Sequence, residues 1–206
     1  MGILVSRRQL LLGALVTGTA LATGTALAIG KPVTAAVSPR DTLLNRARSE
    51  LARLGSTIAL HDVVGIADYT HPSSTPRFHL IDMSRGEVTS LLVSHGRGSD
   101  PTHSGWVQRF SNDPGSHASA EGAYLTGDYY TGKHGRSMRL VGLDASNSNA
   151  EKRAIVVHGA WYVGPAMLRE HGQLGRSEGC FAFAESDVDT VLRRLGPGRL
   201  LLSAKI

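Results

Sequence analysis

The only cysteine of the chain, Cys180, directly follows a glycine, and His158 ends an apolar run earlier in the sequence. A thiol is nucleophilic as the thiolate, and a nearby imidazole can take its proton and later protonate a leaving amine. Gly179 permits a sharp turn, after which the amides of Gly179 and Cys180 can point at the carbonyl oxygen under attack. These residue types predict acyl transfer, with Cys180 as the nucleophile and His158 as its base and acid.

Two other interpretations of these residues stay open. A free cysteine is often a small buried residue, in which case His158 is simply hydrogen-bonded near a strand end. The nine histidines also raise the question of a metal site. The group that could surround zinc is His134, His158, His171 and Asp128. The chain has no His-x-x-x-His pair on a predicted helix and no Cys/His cluster, so no metal or cofactor is predicted.

Several polar residues in predicted loops are candidates for binding a substrate, because loops often carry function. Arg176 and His171 lie between the histidine and the cysteine, where a guanidinium could bind a carboxylate through two parallel hydrogen bonds. For Trp161 and Tyr162, packing in the core is favoured over contact with a sugar or a peptide. The candidates for substrate binding are Arg176, His95, Asn112 and Ser111.

The elements that must position these side chains have the pattern of short strands separated by turn residues. The predicted strands are 63–69, 77–83, 88–94, 120–129, 138–144, 154–158 and 199–204. One helix is predicted from a cap at Asp41 to about Leu54, and another at about 186–195. The pattern predicts a mainly β fold, a sandwich or barrel, with an N-terminal helix and a helix after the cysteine.

The N-terminus has the order of segments that is typical of a secretory signal. Arg7 and Arg8 precede an apolar stretch at 10–27, and Ala26-Leu27-Ala28 is a small-residue cleavage site. The run at 6–11 resembles a twin-arginine signal, which engages the export machinery. The sequence therefore predicts a signal peptide at 1–28 and an exported protein. An uncleaved membrane anchor is the open alternative, since the apolar stretch is about long enough to span a bilayer.

Composition narrows the class of protein further. Removing the predicted signal at 1–28 from the 206 residues leaves 178, which suits one domain. The formal net charge of +5 falls to +3 when Arg7 and Arg8 are removed with the predicted signal, and no block of Lys or Arg occurs, so no nucleic-acid partner is predicted. A single cysteine excludes an internal disulfide, and its distance from the predicted cleavage site argues against a lipoprotein.

The chain from Ala59 to Ile206 resembles the YkuD-type L,D-transpeptidases, and more closely a divergent branch of murein L,D-transpeptidase catalytic domain proteins. The motifs that carry the resemblance are Ser94-His95-Gly96-Arg97-Gly98-Ser99, Phe110-Ser111-Asn112, Gly142-Leu143-Asp144, Val157-His158-Gly159 and Gly175-Arg176-Ser177-Glu178-Gly179-Cys180. The resemblance implies a mostly β catalytic domain at 59–206, preceded by a linker and helix at 29–58.

The family's activity follows from the same resemblance. It implies that Cys180 attacks the peptidoglycan stem-peptide bond after the diamino acid, releases the terminal D-alanine and forms a thioester. An amine of a neighbouring stem then resolves the thioester into a cross-link. Resolution by water would make the protein an L,D-carboxypeptidase, and a non-catalytic cell-wall-binding module is a further alternative. Peptidoglycan stem peptides are the implied partner, in the periplasm or cell envelope.

The resemblance also assigns roles within the cysteine motif. His158 matches the family histidine, and Gly179 with Cys180 matches the oxyanion turn, to which Gly159 and Ser177 also belong. Ser177 is expected to hold the turn by hydrogen bonding.

The motif departs from the family at two places. Glu178 replaces a second histidine, and its side chain is expected to face away from the thiol. Ala182 replaces a common Arg or Asn, which leaves open how a substrate carboxylate would be bound.

Overall fold

Eight strands of this chain form one mixed sheet, in a computed structural model that describes residues 37–206. The predicted signal peptide at 1–28, and the rest of the chain up to residue 36, lie outside the described residues. The strands are β1 (Val63–Asp68), β2 (Phe78–Asp82), β3 (Glu87–Leu91), β4 (Gly122–Gly132), β5 (Gly135–Gly142), β6 (Val156–Gly159), β7 (Phe181–Phe183) and β8 (Leu200–Ala204). Their order across the sheet is β3-β2-β1-β8-β4-β5-β6-β7.

The sheet curls into a nearly closed, barrel-like shape, which confirms the predicted mainly β fold. Most neighbouring strands are antiparallel, whereas β1–β8 and β6–β7 are parallel. The β6–β7 pair joins two segments separated by a long connection, as parallel pairing requires. This pair holds the histidine and the cysteine motif next to each other.

The N-terminal helix α1 (Pro39–Leu54) covers one face of the sheet. It begins before the predicted cap at Asp41, so that prediction was wrong by part of a turn. The N-cap is Ser38, whose hydroxyl accepts from the Asp41 amide at 3.1 Å, and Pro39 occupies a first-turn position that needs no amide hydrogen. Arg53 then fastens the end of the helix to Asp144 through two hydrogen bonds of 2.9 and 3.2 Å.

Both faces of the central strands are buried, because a helix packs on each side. In β8, Leu200 and Leu202 pack under α1, while Leu201 points into the opposite core. Helix α3 (Val188–Leu195) closes that opposite core with Val191 and Leu195. A strand that is buried on both faces needs a continuous apolar run, and the sequence Leu-Leu-Leu at the start of β8 provides it.

Two short elements were missed by the sequence pattern. Helix α2 (Pro165–His171) lies in the stretch interpreted as a loop, and β7 was not predicted as a strand. The helix has only seven residues and none is fully buried, although Pro165 in its first turn and Gly172 after its end are typical helix boundaries. Within residues 37–206, none of the helices has the length and apolar character needed to cross a bilayer.

Candidate active site

His158 and Cys180 lie on neighbouring strand segments and face the same cavity. In the parallel pairing of β6 and β7, His158 stands opposite Ala182, so that Cys180 is a diagonal neighbour two residues earlier. Side chains two residues apart on a strand share a face, and diagonal neighbours on adjacent strands have Cα atoms about 8 Å apart. Both side chains line one cavity of about 410 Å³.

The ring of His158 is held in a defined orientation. It is almost fully buried, and its Nδ1 lies 2.8 Å from the carbonyl oxygen of Gly159. Nδ1 must therefore carry the proton and donate it to that oxygen, which leaves Nε2 as a free acceptor. Burial lowers the pKa of His158, as do its neighbours His134 and Lys133, whereas the hydrogen bond to the Gly159 carbonyl opposes the shift. The imidazole is thus a neutral base at physiological pH.

A second histidine stacks on this ring. His134 lies at the tip of the β4–β5 hairpin, and its ring centroid is 4.1 Å from that of His158 with an interplanar angle of 19°. The hairpin tip thereby forms one wall of the cavity and restricts rotation of the imidazole. No simple motif links the two histidines in the sequence, because the contact depends on how the hairpin folds back over β6.

The Cys180 thiol is half-buried and rests as a neutral group. Its sulfur donates to the carbonyl oxygen of Ala154 at 3.5 Å. Burial raises the pKa of Cys180, although hydrogen bonding from the Val156 backbone and the charge of Lys133 oppose that shift. The thiol and His158 therefore do not form a resting ion pair, and the proton must move to the imidazole during the reaction.

The cysteine stands at the end of a turn that only glycine fits well. Gly179 has φ = +117°, in the region that other residues rarely adopt. The Ser177 hydroxyl accepts from the Gly179 amide at 3.2 Å and donates to the Cys180 carbonyl at 2.7 Å, as expected for the residue that holds the turn. The Gly179 amide is consequently occupied, and the Cys180 amide, which makes no hydrogen bond to the described residues, is the one available to an oxyanion.

Replacing Gly179 with alanine is expected to destabilise the fold by about 2 kcal/mol or more, because backbone strain and a steric clash add together. The new Cβ would lie 2.7 Å from the Ala118 carbonyl oxygen. Gly115→Ala is the matched control, since Gly115 also has a positive φ of 80° but its new Cβ would meet nothing within 4 Å. Urea unfolding of both variants measures the difference. Equal midpoints would show that the close approach at Gly179 costs nothing.

Three cations surround the thiol, and two of them were missed by sequence reasoning. Arg176 was predicted as a binding residue and lines the cavity, together with Arg153 and Lys133. Arg153 donates to the carbonyl oxygens of Ser111 and Ala118, and Arg176 donates to the carbonyl oxygen of Asp100. Among residues 37–206, Lys133 has no ion-pair partner. Neither missed residue lies in a motif, since Lys133 is at the tip of the β4–β5 hairpin and Arg153 is in the turn before β6.

The other predicted binding residues lie away from the cavity. The His95 ring is 1% exposed and lies between Arg77, which donates to its Nδ1 at 2.6 Å, and Asp100 at 3.3 Å from Nε2. Burial lowers its pKa to about 4. The His95 main chain instead supports the cysteine turn, since its carbonyl accepts from the Ser177 amide at 2.9 Å. This position favours a supporting role over contact with a substrate.

Ser111 and Asn112 likewise hold loops together rather than line the cavity. The Asn112 side-chain amide donates to the Ala145 carbonyl at 2.9 Å, and its oxygen accepts from the Asn149 amide at 3.0 Å. The Ser111 hydroxyl donates to Asp113 at 3.0 Å. Their hydrogen bonds fix the loop that carries the Arg153 guanidinium.

Glu178 lies at the margin of the cavity with an exposed side chain. Its carboxylate is 3.3 Å from Arg97 and 3.7 Å from His117. These neighbours turn the charge towards solvent, although it still contributes to the raised pKa of Cys180. In the described part of the chain, no three His, Cys, Asp or Glu side chains gather in a way that would hold a metal ion.

Comparisons with known proteins identify the relatives of this chain. A sequence model described as the L,D-transpeptidase catalytic domain matches residues 39–203. Among solved structures, L,D-transpeptidase 3 from Mycobacterium tuberculosis with a faropenem-derived adduct is 14% identical, with 70% of this chain and 60% of that chain covered and a TM-score of 0.44. The L,D-transpeptidase from Mycobacterium smegmatis is 14% identical over 69% of this chain and 58% of that chain, with a TM-score of 0.41.

A third solved structure is the helical cell shape determining protein from Campylobacter jejuni. It is 12% identical over 79% of this chain and 55% of that chain, with a TM-score of 0.44. The alignments thus span 55% to 60% of the length of these three solved chains. A search of curated proteins gives no match.

Proposed function

This chain belongs to the L,D-transpeptidase catalytic domain family, and on that basis we propose that it transfers acyl groups of peptidoglycan stem peptides through a thioester on Cys180. The single observation that carries the proposal is that the only thiol and a histidine with a free Nε2 line the same cavity. A lone cysteine in a structural role would need neither the oriented imidazole nor the glycine turn.

The proposed acylation starts with the neutral pair. Nε2 of His158 takes the thiol proton while the sulfur of Cys180 attacks the carbonyl carbon of the diamino acid. The Cys180 amide donates to the oxyanion, a contact worth a few kcal/mol in the transition state. The C–N bond then breaks, the imidazolium gives its proton to the leaving amine of D-alanine, and a thioester remains.

Deacylation reverses the roles of the same groups. The amine of an acceptor stem attacks the thioester carbon, His158 takes a proton from that amine, and the sulfur leaves and is protonated again. The product is a cross-link. If water replaces the amine, the product is a shortened stem peptide, as in the alternative L,D-carboxypeptidase. Both reactions use the same thioester and the same residues.

The charge of the cavity supports an anionic acyl donor. Lys133, Arg153 and Arg176 line it, whereas its one acidic residue, Glu178, already pairs with Arg97. A stem peptide carries several carboxylates, which guanidinium and ammonium groups bind well. We therefore propose that these three cations take the place of the Arg or Asn that is usual where this chain has Ala182.

The site of action follows from the substrate. Peptidoglycan lies outside the cytoplasmic membrane, so the proposal requires export. The sequence pattern at 1–28 provides a candidate signal peptide for it. Residues 59–206 contain all the proposed reacting groups, and the family match extends back to residue 39 to include helix α1.

Incubation of the full chain with a synthetic stem tetrapeptide is expected to add the mass of the tripeptide acyl group to the protein and to release one D-alanine per adduct. Intact-mass spectrometry measures the adduct, and product analysis with and without an acceptor amine separates cross-linking from hydrolysis. Protein first alkylated with iodoacetamide is the control. Release of D-alanine that resists alkylation but stops with a chelator would contradict the thioester.

A further inference from the structure

Among the described residues, Trp161 is the most exposed large apolar side chain. It also lies close to the cavity. Its exposed fraction is 76%, whereas its sequence context favoured packing in the core, so that expectation was wrong. Trp161 lies in the turn directly after β6, three residues beyond His158. A single exposed apolar side chain is common on a protein surface, so the inference depends on the cavity that Trp161 lines beside the candidate active site.

A second cavity, which Trp161 helps to line, adjoins the candidate active site. Its volume is about 400 Å³, and Trp161, Glu185 and Lys133 line it. The hairpin tip and Tyr162 border both cavities, so the two cavities lie side by side. The Tyr162 ring meets the indole edge to face, with centroids 5.8 Å apart and an angle of 83°, and so fixes its orientation.

The lining of this second cavity indicates the chemistry of its ligand. The aromatic side chains of Trp161 and Tyr162 line it together with two charged side chains, Lys133 and Glu185. An apolar peptide segment would meet too little apolar surface here. A pyranose ring fits, since its C–H face can stack on the indole while its hydroxyl and N-acyl groups bond the charged rim.

We propose that Trp161 is a stacking platform for an amino sugar of the glycan strand that carries the stem peptide. The inference rests on the proposed function, which places the stem in the neighbouring cavity. Trp161 is the third residue after His158, so their Cα atoms are at most about 11 Å apart. The acyl-donor part of a stem spans a similar length at about 3.3 Å per residue, and its sugar end would therefore reach the indole.

The test compares two acyl donors, a free stem tetrapeptide and the same tetrapeptide attached to its disaccharide. Trp161→Ala is expected to lower kcat/KM about three- to tenfold on the disaccharide substrate, the size of an aromatic stacking contact, and to change it less than about twofold on the free peptide. Trp161→Phe should recover part of the loss. Trp106→Ala is the matched control, because Trp106 is 49% exposed and lines neither cavity.

A binding measurement separates this inference from the proposed function. The chain has two tryptophans, so titration with a soluble oligomer of N-acetylglucosamine should change the intrinsic fluorescence of the Trp106→Ala protein and leave that of Trp161→Ala unchanged. If neither donor is turned over, the proposed function fails and the titration alone decides the sugar site. Equal losses on both donors, or a titration without response at Trp161, would overturn the platform.

Discussion

Cys180→Ala is expected to abolish acyl transfer, with a fall in kcat/KM of about 10⁴-fold or more, because the nucleophile of a covalent mechanism has no substitute. The assay is D-alanine release from a stem tetrapeptide. The fold should survive, since alanine fits wherever cysteine does and the thiol makes only weak hydrogen bonds, with the Ala154 carbonyl and the Val156 backbone. The thermal midpoint should therefore stay within a few degrees of the parent.

The control for this substitution is Cys180→Ser, which keeps a nucleophilic atom of poorer reactivity in the same place. It should retain more activity than alanine and much less than the parent. An alanine variant that keeps a tenth of the activity, with no acyl adduct in either protein, would show that the thiol is not the reacting group. The non-catalytic wall-binding module would then be the better account of the cavity.

His158→Gln is expected to lower kcat/KM by about 10²- to 10⁴-fold, the range for loss of a general base. Glutamine keeps a polar side chain of similar length but cannot take the thiol proton. His71→Gln is the matched control, because His71 is an exposed histidine whose nearest carboxylate, that of Asp68, is 3.9 Å away, and it should leave the rate unchanged. A His158→Gln protein with more than half of the parent activity would rule out the imidazole as the base.

The pH profile provides a second measurement on the same residue. Burial lowers the pKa of His158 and raises that of Cys180. The reaction needs a neutral imidazole, so the acid limb of kcat/KM should lie below the ordinary value of about 6.5 for histidine. It also needs a thiol proton to pass to the leaving amine, so the alkaline limb should lie above about 8.5. An acid limb that persists in His158→Gln would assign it to another group.

The sequence determined much of the fold because its signals are local. The predicted strand regions follow alternating or continuous apolar runs, and each of them contains a strand in the structure. The predicted ends differ by a few residues where tertiary contacts decide them. Strand β3, for example, ends at Leu91 because the following chain turns to let the Ser94 amide donate to the Ala182 carbonyl. The α1 cap at Ser38 was within reach of sequence reasoning, since Ser followed by Pro is a common helix start.

The identity of the candidate nucleophile and base was also available from the sequence. A single cysteine after a glycine, and a histidine at the end of a buried strand, limit the choice of residues that could form such a pair. Their side-chain chemistry does not depend on the fold. The same holds for Ser177, whose hydroxyl was expected to hold the turn and does so by bonding to both of the residues that follow Glu178.

Only the tertiary structure decided what surrounds that pair. Lys133 and His134 reach the cavity from a hairpin tip, Arg153 reaches it from a loop held by Asn112, and Trp161 points outward beside it. His95, by contrast, is buried behind the turn. Local sequence fixes the type of each element and the chemistry of each side chain, since both depend on near neighbours. The packing of elements distant in sequence fixes which side chains share a cavity, which amide is already bonded and which pKa is shifted, because each of these depends on long-range contacts and burial.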